Sequence, residues 1–324
     1  MAIRYLKNRE IDRAAWDRCV QQSPQRIVYA HSWYLDQCER AWAGVVDEQG
    51  GEYVTVMPVQ FRRKWGLPYL YQDPFAKELG IFSTLASLAP AYVQQIIACA
   101  FRPFRYGVRY AFNTHNTAVL PDLRTTMCAT HHLSLAPSYE TLWQGYSSKR
   151  KPCVRKAQAS GQVLTASSDL EPLLRLFKQF TAPKIAGLAS YQYDLLWGLY
   201  RALSERGLTE LWYALQGEET TAGALFFRYQ HQLIYFWGAS SERGRAEHSM
   251  SLLLDHVIRT YAGRRAGGEA YRLDFEGSDV PGIAAFYRSF GAVRQPFAEV
   301  RFSRLPGWLE QVLRWRQSRR GFTT

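Results

Sequence analysis

Residues Leu273–Ala292 read LDFEGSDVPGIAAFYRSFGA. A short apolar run ends in two acids, Asp274 and Glu276, and turns through Gly277, Ser278 and Pro281. It then enters a helical pattern carrying Phe286 and Tyr287, four residues before Phe290 and Gly291. Proline early in a helix and glycine just past its end bracket the helical stretch. The segment therefore predicts strand, tight turn, helix, a unit that needs a sheet beneath it and so commits the chain to an α/β fold.

The rest of the chain repeats this grammar. In the first half, a helix is expected from Ile11 and another from Trp33 with Ser32 as its cap. EYVTVMPVQFRR alternates and is β-branched, so it predicts a strand, with GLPYLYQ as the next. Ala89–Phe101 has helical spacing, and RYGVRYAFNTH and TMCATHHLSL read as strands. In the second half, Ser138–Gly145, Leu170–Ala182, Tyr191–Arg206 and Ser249–Tyr261 are expected helices. Pro152 suggests that the basic stretch SSKRKPCVRKA starts a helix there. TELWYALQG and TAGALFFRYQHQLIYFWGAS predict three strands, and FAEVRFSRL closes as a strand before a basic helix, GWLEQVLRWRQSRR. With LSLAPSYE as a connector, the expectation is two α/β domains with mixed sheets, 1–135 and 136–324.

A chain of 324 residues, 47% hydrophobic, has ample material for two cores. No apolar run is long enough for a transmembrane helix, and the charged start lacks the apolar core of a secretory signal. A cytoplasmic protein is expected. The five cysteines are odd in number and form no CxxC pair, which argues against a disulfide framework and a zinc site. His131 and His132 are adjacent, so on a strand they point to opposite faces and no metal is expected. The net charge of +12 divides as +4 before Ala136 and +8 after it. Such a field draws an anionic partner, or simply keeps a basic protein dissolved.

Phe286, Tyr287 and Gly291 stand where a Phe-Tyr pair, three residues and a glycine close the last helix of the GNAT acyl-CoA N-acyltransferases. The segment resembles that superfamily, and in particular its tandem, FemAB-like branch. The resemblance implies two tandem GNAT-like domains, the first non-catalytic and the second holding the active site. It implies Tyr287 as general acid toward a leaving thiolate; the alternative is a tyrosine packing its ring in a core. Asp274 and Glu276, two apart on one strand, would share a face. Glu276, with Asp274 beside it, is the candidate base for the incoming amine, whereas Asp274 could instead cap the turn or pair with Arg272 or Arg288.

The resemblance also implies acetyl-CoA or another acyl-CoA as co-substrate, its phosphates held between a strand and the next helix. Ser240, Arg243, Gly244, Arg245 and Ser249 occupy that stretch, although RGRAEH keeps the family's arginine and departs from its later glycines. Lys149, Arg150, Arg155 and Lys156 resemble a basic helix of FemAB-type chains and suit phosphate, since arginine forks pair with it bidentately. In those chains lysines follow the phenylalanine, where Tyr287 and Arg288 stand here. Tyr191, Tyr193, Tyr235 and Trp237 could line an acceptor cleft or be core. The C-terminal helix could rest on anionic membrane or pack against a domain.

Hydrolase, P-loop and dinucleotide-binding patterns are absent, as are helix-turn-helix and RNA-recognition signatures. Three functions follow. The first is transfer of an acyl group from acyl-CoA to an amine. The second is aminoacyl-tRNA-dependent transfer to a peptidoglycan precursor, with tRNA as partner. The third is a non-catalytic binding protein on the same fold.

Overall fold

The computed structural model describes residues 2–38, 41–116, 123–184, 191–277 and 280–306. They form two compact units, one of Met1–Cys128, Tyr191–Ala202 and Pro296–Thr324, the other of Ala129–Ser190 and Leu203–Gln295. The basic C-terminal helix expected from GWLEQVLRWRQSRR falls outside the described residues, as does Ser278. Among the described residues, no helix is long and apolar enough to cross a membrane.

The first 128 residues contain strands β1 (Ala2–Lys7), β2 (Trp42–Gln49), β3 (Glu52–Lys64), β4 (Leu67–Leu70), β5 (Phe82–Ser83) and β6 (Tyr106–Ala111). Their helices are α1 (Arg13–Gln22), α2 (Ser32–Leu35) and α3 (Pro90–Phe101). β1 through β4 pair as an antiparallel meander, β4 meets β6 in parallel, and β5 pairs with β3. Neither β1 nor β2 is predicted above. β2 is buried along its first six residues and so lacks the alternation that marks a half-exposed strand. Its Trp42 meets Trp16 of α1 with ring centroids 5.3 Å apart, and the Trp16 indole donates to the Ala30 carbonyl at 2.9 Å. Ser32 does not cap α2. His31 holds the cap position, and the Ser32 hydroxyl donates instead to Asp17 at 2.9 Å.

Further along come β7 (Arg124–Ser134), α4 (Tyr139–Gly145), α5 (Arg150–Ala159), β8 (Val163–Ser167), α6 (Glu171–Phe180) and α7 (Tyr191–Ser204). β9 (Thr209–Gln216), β10 (Glu219–Tyr229), β11 (Gln232–Ser240), α8 (Glu242–Ala246) and α9 (Ser249–Tyr261) follow. A small hairpin, β12 (Arg265–Ala266) and β13 (Glu269–Ala270), precedes β14 (Arg272–Asp274), α10 (Pro281–Arg288) and β15 (Val293–Ser303). The second unit's sheet runs β7-β14-β11-β10-β9-β8. Only β11 and β14 are parallel, which is why the long connection with α8 and α9 lies between them.

α9 covers one face of this sheet. Leu253, Leu254, Val257 and Ile258 pack with Ala214, Ala222, Ala224 and Phe226. Three of those four sheet residues are alanines, so the helix approaches closely. Asp255 on the same helix is 2% exposed and accepts hydrogen bonds from the Tyr139 hydroxyl at 2.8 Å and the Tyr146 hydroxyl at 3.1 Å. Burial pushes its carboxyl above the usual range, and the two tyrosines and Arg259 only partly offset this.

Asp255→Ala would leave two hydroxyls without their acceptor, and urea unfolding should register a loss of about 2–4 kcal/mol. The pH dependence has a definite sign. With the folded pKa above the unfolded one, Asp255's contribution is complete below the unfolded value and fades as pH rises through the folded value. Asp255→Asn, which keeps an acceptor without the charge, should flatten that part of the stability profile. An unchanged slope would assign it to other groups.

Candidate active site

β11 and β14 pair from Gln232/Arg272 to Ile234/Asp274 and then part. β14 ends at Asp274, while β11 continues to Ser240. Past the parting point, Phe275 leads toward α10, a helix with Pro281 in its first turn and a left-handed Gly291 beyond its end. α10 buries Ala284 and leaves Tyr287 half-buried. The Tyr287 ring stacks on Phe275 at 4.9 Å between centroids, with Tyr235 of β11 at 6.3 Å and His131 of β7 at 6.0 Å. Burial first, then the nearby Asp274 charge, pushes the Tyr287 hydroxyl up to about 12. It is a protonated phenol at neutral pH.

The two acids do not share a strand. Asp274 is the last residue of β14, and Glu276 lies beyond it with a left-handed backbone, φ 59°. The alternation that would put both on one face stops before Glu276. Asp274, 6% exposed, accepts from the Thr130 hydroxyl at 2.5 Å and from the Glu276 amide at 2.8 Å. The His132 imidazole lies 3.3 Å from its other oxygen. Burial raises the Asp274 carboxyl, but His132 and Thr130 together outweigh it and hold the group below the ordinary carboxylate range. Asp274 thus turns the chain at the end of β14. Glu276 is buried at the start of that turn.

Strand alternation sends His132 to Asp274 and its neighbour His131 to the opposite face, against Tyr287. His131 is 2% exposed, and neither ring nitrogen has a hydrogen-bond partner among the described residues. Burial, then the charges of Arg288 and Arg294, lower its pKa, so the imidazole is neutral at pH 7. The sequence carries the signal that separates the two histidines. It carries none that aims His131 at a helix more than 150 residues later.

The stretch between β11 and α9 is not an open loop. Ser241 caps α8 by accepting from the Gly244 amide at 3.0 Å, and the amides of Arg245, Glu247 and His248 bond carbonyls of the same turn. Arg243 pairs with Glu219 at 3.1 Å and Glu247 at 3.0 Å, and Arg245 donates to the Ser240 carbonyl at 2.8 Å. Ser249 is fully buried, its hydroxyl 3.0 Å from that of Thr221. A Cβ on Gly244 would sit 2.1 Å from the Thr221 carbonyl oxygen, so packing against β10 requires glycine there. The Gly244 amide and the Arg243 and Arg245 side chains are thereby engaged within the unit.

The basic segment starts a helix two residues before Pro152. Arg150 reaches inward, donating to Ser289 at 2.8 Å and Ser251 at 2.5 Å, with its guanidinium 4.4 Å over Phe286 and 4.8 Å over Phe290. No carboxylate pairs with it among the described residues, and burial lowers its pKa. Lys156 donates to the Ala246 carbonyl at 3.3 Å, Arg155 lies over Trp143, and Lys149 and Arg288 are exposed.

The aromatic candidates separate. Tyr191 and Tyr193 lie on the part of α7 assigned to the first unit, and the Tyr191 side chain is outside the described residues. Tyr235 and Trp237 belong to the second unit but diverge, because a bulge skips Phe236 where β11 pairs with β10. The Tyr235 hydroxyl meets the Met250 sulfur at 3.2 Å, whereas Trp237 packs on Phe177 of α6 at 4.5 Å.

Gly244→Ala should lower stability by about 1–3 kcal/mol through overpacking against Thr221. Thermal unfolding would show it without any ligand. A variant as stable as the parent would mean that glycine serves something other than packing.

Residues 147–280 match the family model for an acetyltransferase (GNAT) domain. No curated protein sequence matches the chain. Among solved structures, FemX is similar over 97% of this chain and 99% of its own, with a TM-score of 0.64 at 14% identity. A tandem GNAT protein from the clavulanic acid biosynthesis pathway matches 94% of this chain and 100% of its own, with a TM-score of 0.55 at 11% identity. L-PGS from Bacillus licheniformis matches 96% and 97%, with a TM-score of 0.54 at 9% identity. Identities this low carry the fold, which is tandem GNAT across the whole length as the closing strand–turn–helix predicts. Residues 147–280 are thus similar to a GNAT acetyltransferase domain, and the fold of the whole chain is similar to that of the tandem GNAT-fold proteins.

Proposed function

We propose that the second unit transfers an acyl group from an activated carboxyl donor to an amine where β11 and β14 part. The observation that carries this reading is Tyr287, a protonated phenol placed beside that opening. The amine attacks the donor carbonyl, a C–N bond forms, and the bond to the leaving heteroatom breaks. Tyr287 gives its proton to the leaving atom, and a base takes one from the attacking nitrogen. Holding the two substrates side by side supplies much of the remaining acceleration.

The family description supports an acyl-CoA donor, with Ser240, Arg243, Gly244, Arg245 and Ser249 as its phosphate contacts. Two observations favour the second reading, an aminoacyl ester such as aminoacyl-tRNA. First, Arg243, Arg245 and the Gly244 amide are already engaged within the unit. Second, burial raises the Tyr287 hydroxyl, which makes it a weaker acid and suits it to the more basic leaving atom, an alkoxide rather than a thiolate. Lys149, Arg155 and Lys156, with Arg150 turned inward behind them, then offer cations to a polyanion. Binding calorimetry with acetyl-CoA and with aminoacyl-tRNA separates the readings. Heat with acetyl-CoA supports the first and heat with the tRNA alone supports the second. Silence with both leaves the non-catalytic reading. Once a donor is known, Tyr287→Phe should lower kcat by about 10²–10⁴-fold with donor affinity kept; unchanged turnover would remove Tyr287 from the mechanism.

Two groups compete for the base. Glu276 is a buried carboxylate in the turn between β14 and α10, and His131 is a neutral imidazole beside Tyr287. If His131 accepts the proton, kcat/KM falls as pH drops through a value below the ordinary histidine range, and His131→Asn abolishes that limb. If Glu276 does, Glu276→Gln abolishes activity and leaves His131→Asn with the parental profile.

A further inference from the structure

We propose that the tip of the β3–β4 hairpin in the first unit is an anchor for an anionic lipid surface. The strands pair Arg62 with Tyr69, Arg63 with Pro68 and Lys64 with Leu67, so the connection is only Trp65-Gly66. Both residues have left-handed backbones, φ 52° and 77°. That is the two-residue turn whose twist suits a hairpin, and its first position favours asparagine or aspartate. Tryptophan there crowds its own backbone and has no short polar side chain to bond it.

Trp65 is 74% exposed and its neighbour Leu67 is 66% exposed, the two most exposed large apolar side chains among the described residues. The Lys64 ammonium lies 4.9 Å over the Trp65 ring, and Arg63 braces the turn by donating to the Gly66 carbonyl at 3.1 Å. From Tyr53 to Gln72 the chain contains no acid, while Arg63 and Lys64 flank the turn and Arg62, one residue earlier on β3, lies 3.9 Å over the Tyr71 ring.

An indole and a leucine thrust into water beside two cations match the chemistry of a bilayer interface. Indole settles at headgroup depth, leucine reaches the acyl boundary, and the cations meet lipid phosphates. A nucleic acid would use the indole face and the charges but leave Leu67 in water, so the aliphatic side chain decides for lipid. The proposal does not depend on the reaction assigned to the second unit.

Cosedimentation of the full chain with phosphatidylcholine vesicles, with and without phosphatidylglycerol, tests this at low and high salt. Binding should require phosphatidylglycerol and weaken with salt. Lys64→Gln should reduce it roughly fivefold, and Leu67→Ser about tenfold or more. Trp65→Asn is the sharper variant, since asparagine suits the turn: it should melt no lower than the parent yet bind vesicles about tenfold less well. Absence of phosphatidylglycerol-dependent binding by the parent overturns the proposal, as does parental binding by Trp65→Asn and Leu67→Ser. So does a loss confined to homopolymeric RNA with vesicle binding retained.

Discussion

The carboxylate of Asp274 is the interaction on which the candidate site depends. It is buried, so its charge would be costly if left alone, and three partners offset that cost: the Thr130 hydroxyl, the His132 imidazole and the amide of Glu276. The bond to the Glu276 amide also has a geometric effect. It turns the chain away from the sheet after only three residues of β14, while β11 runs on to Ser240. The opening between the two parallel strands follows from that early stop. So does the line of Phe275 that supports the Tyr287 ring.

What surrounds the opening determines its chemistry. Aromatic rings from β11, the β14 turn and α10 pack around the Tyr287 ring, and burial raises its hydroxyl. After β11, α8 fills the start of the connection to α9, with the Gly244 amide bonded to Ser241 and Arg243 paired with Glu219 and Glu247.

Much of the fold is legible in particular stretches. Ser249–Tyr261 is a helix over the whole predicted range, because its apolar residues recur at helical spacing and nothing interrupts them. The three strands from Thr209 to Ser240 follow their β-branched and aromatic runs. β2 escapes notice because a strand buried on nearly every residue has no period to read. Ser32 looks like a cap in sequence, yet it finds a better acceptor in Asp17, fifteen positions away. The site was less legible than the fold. One skipped residue, Phe236, sends Tyr235 and Trp237 to different surroundings, and one left-handed residue, Glu276, breaks the alternation that seemed to pair it with Asp274.

The amino-acid sequence by itself determined the order of helices and strands, the position of Tyr287 on the last helix of the second unit and the family to which that helix points. These depend on spacing and on backbone bonds between near neighbours. Only the tertiary structure decided what the chemical groups meet. Thr130 and Asp274 are 144 residues apart, and His131 and Tyr287 are farther still. Partners at such separations are chosen by strand pairing and packing, so whether a buried acid turns the chain or a histidine faces a phenol is settled only when the sheet closes.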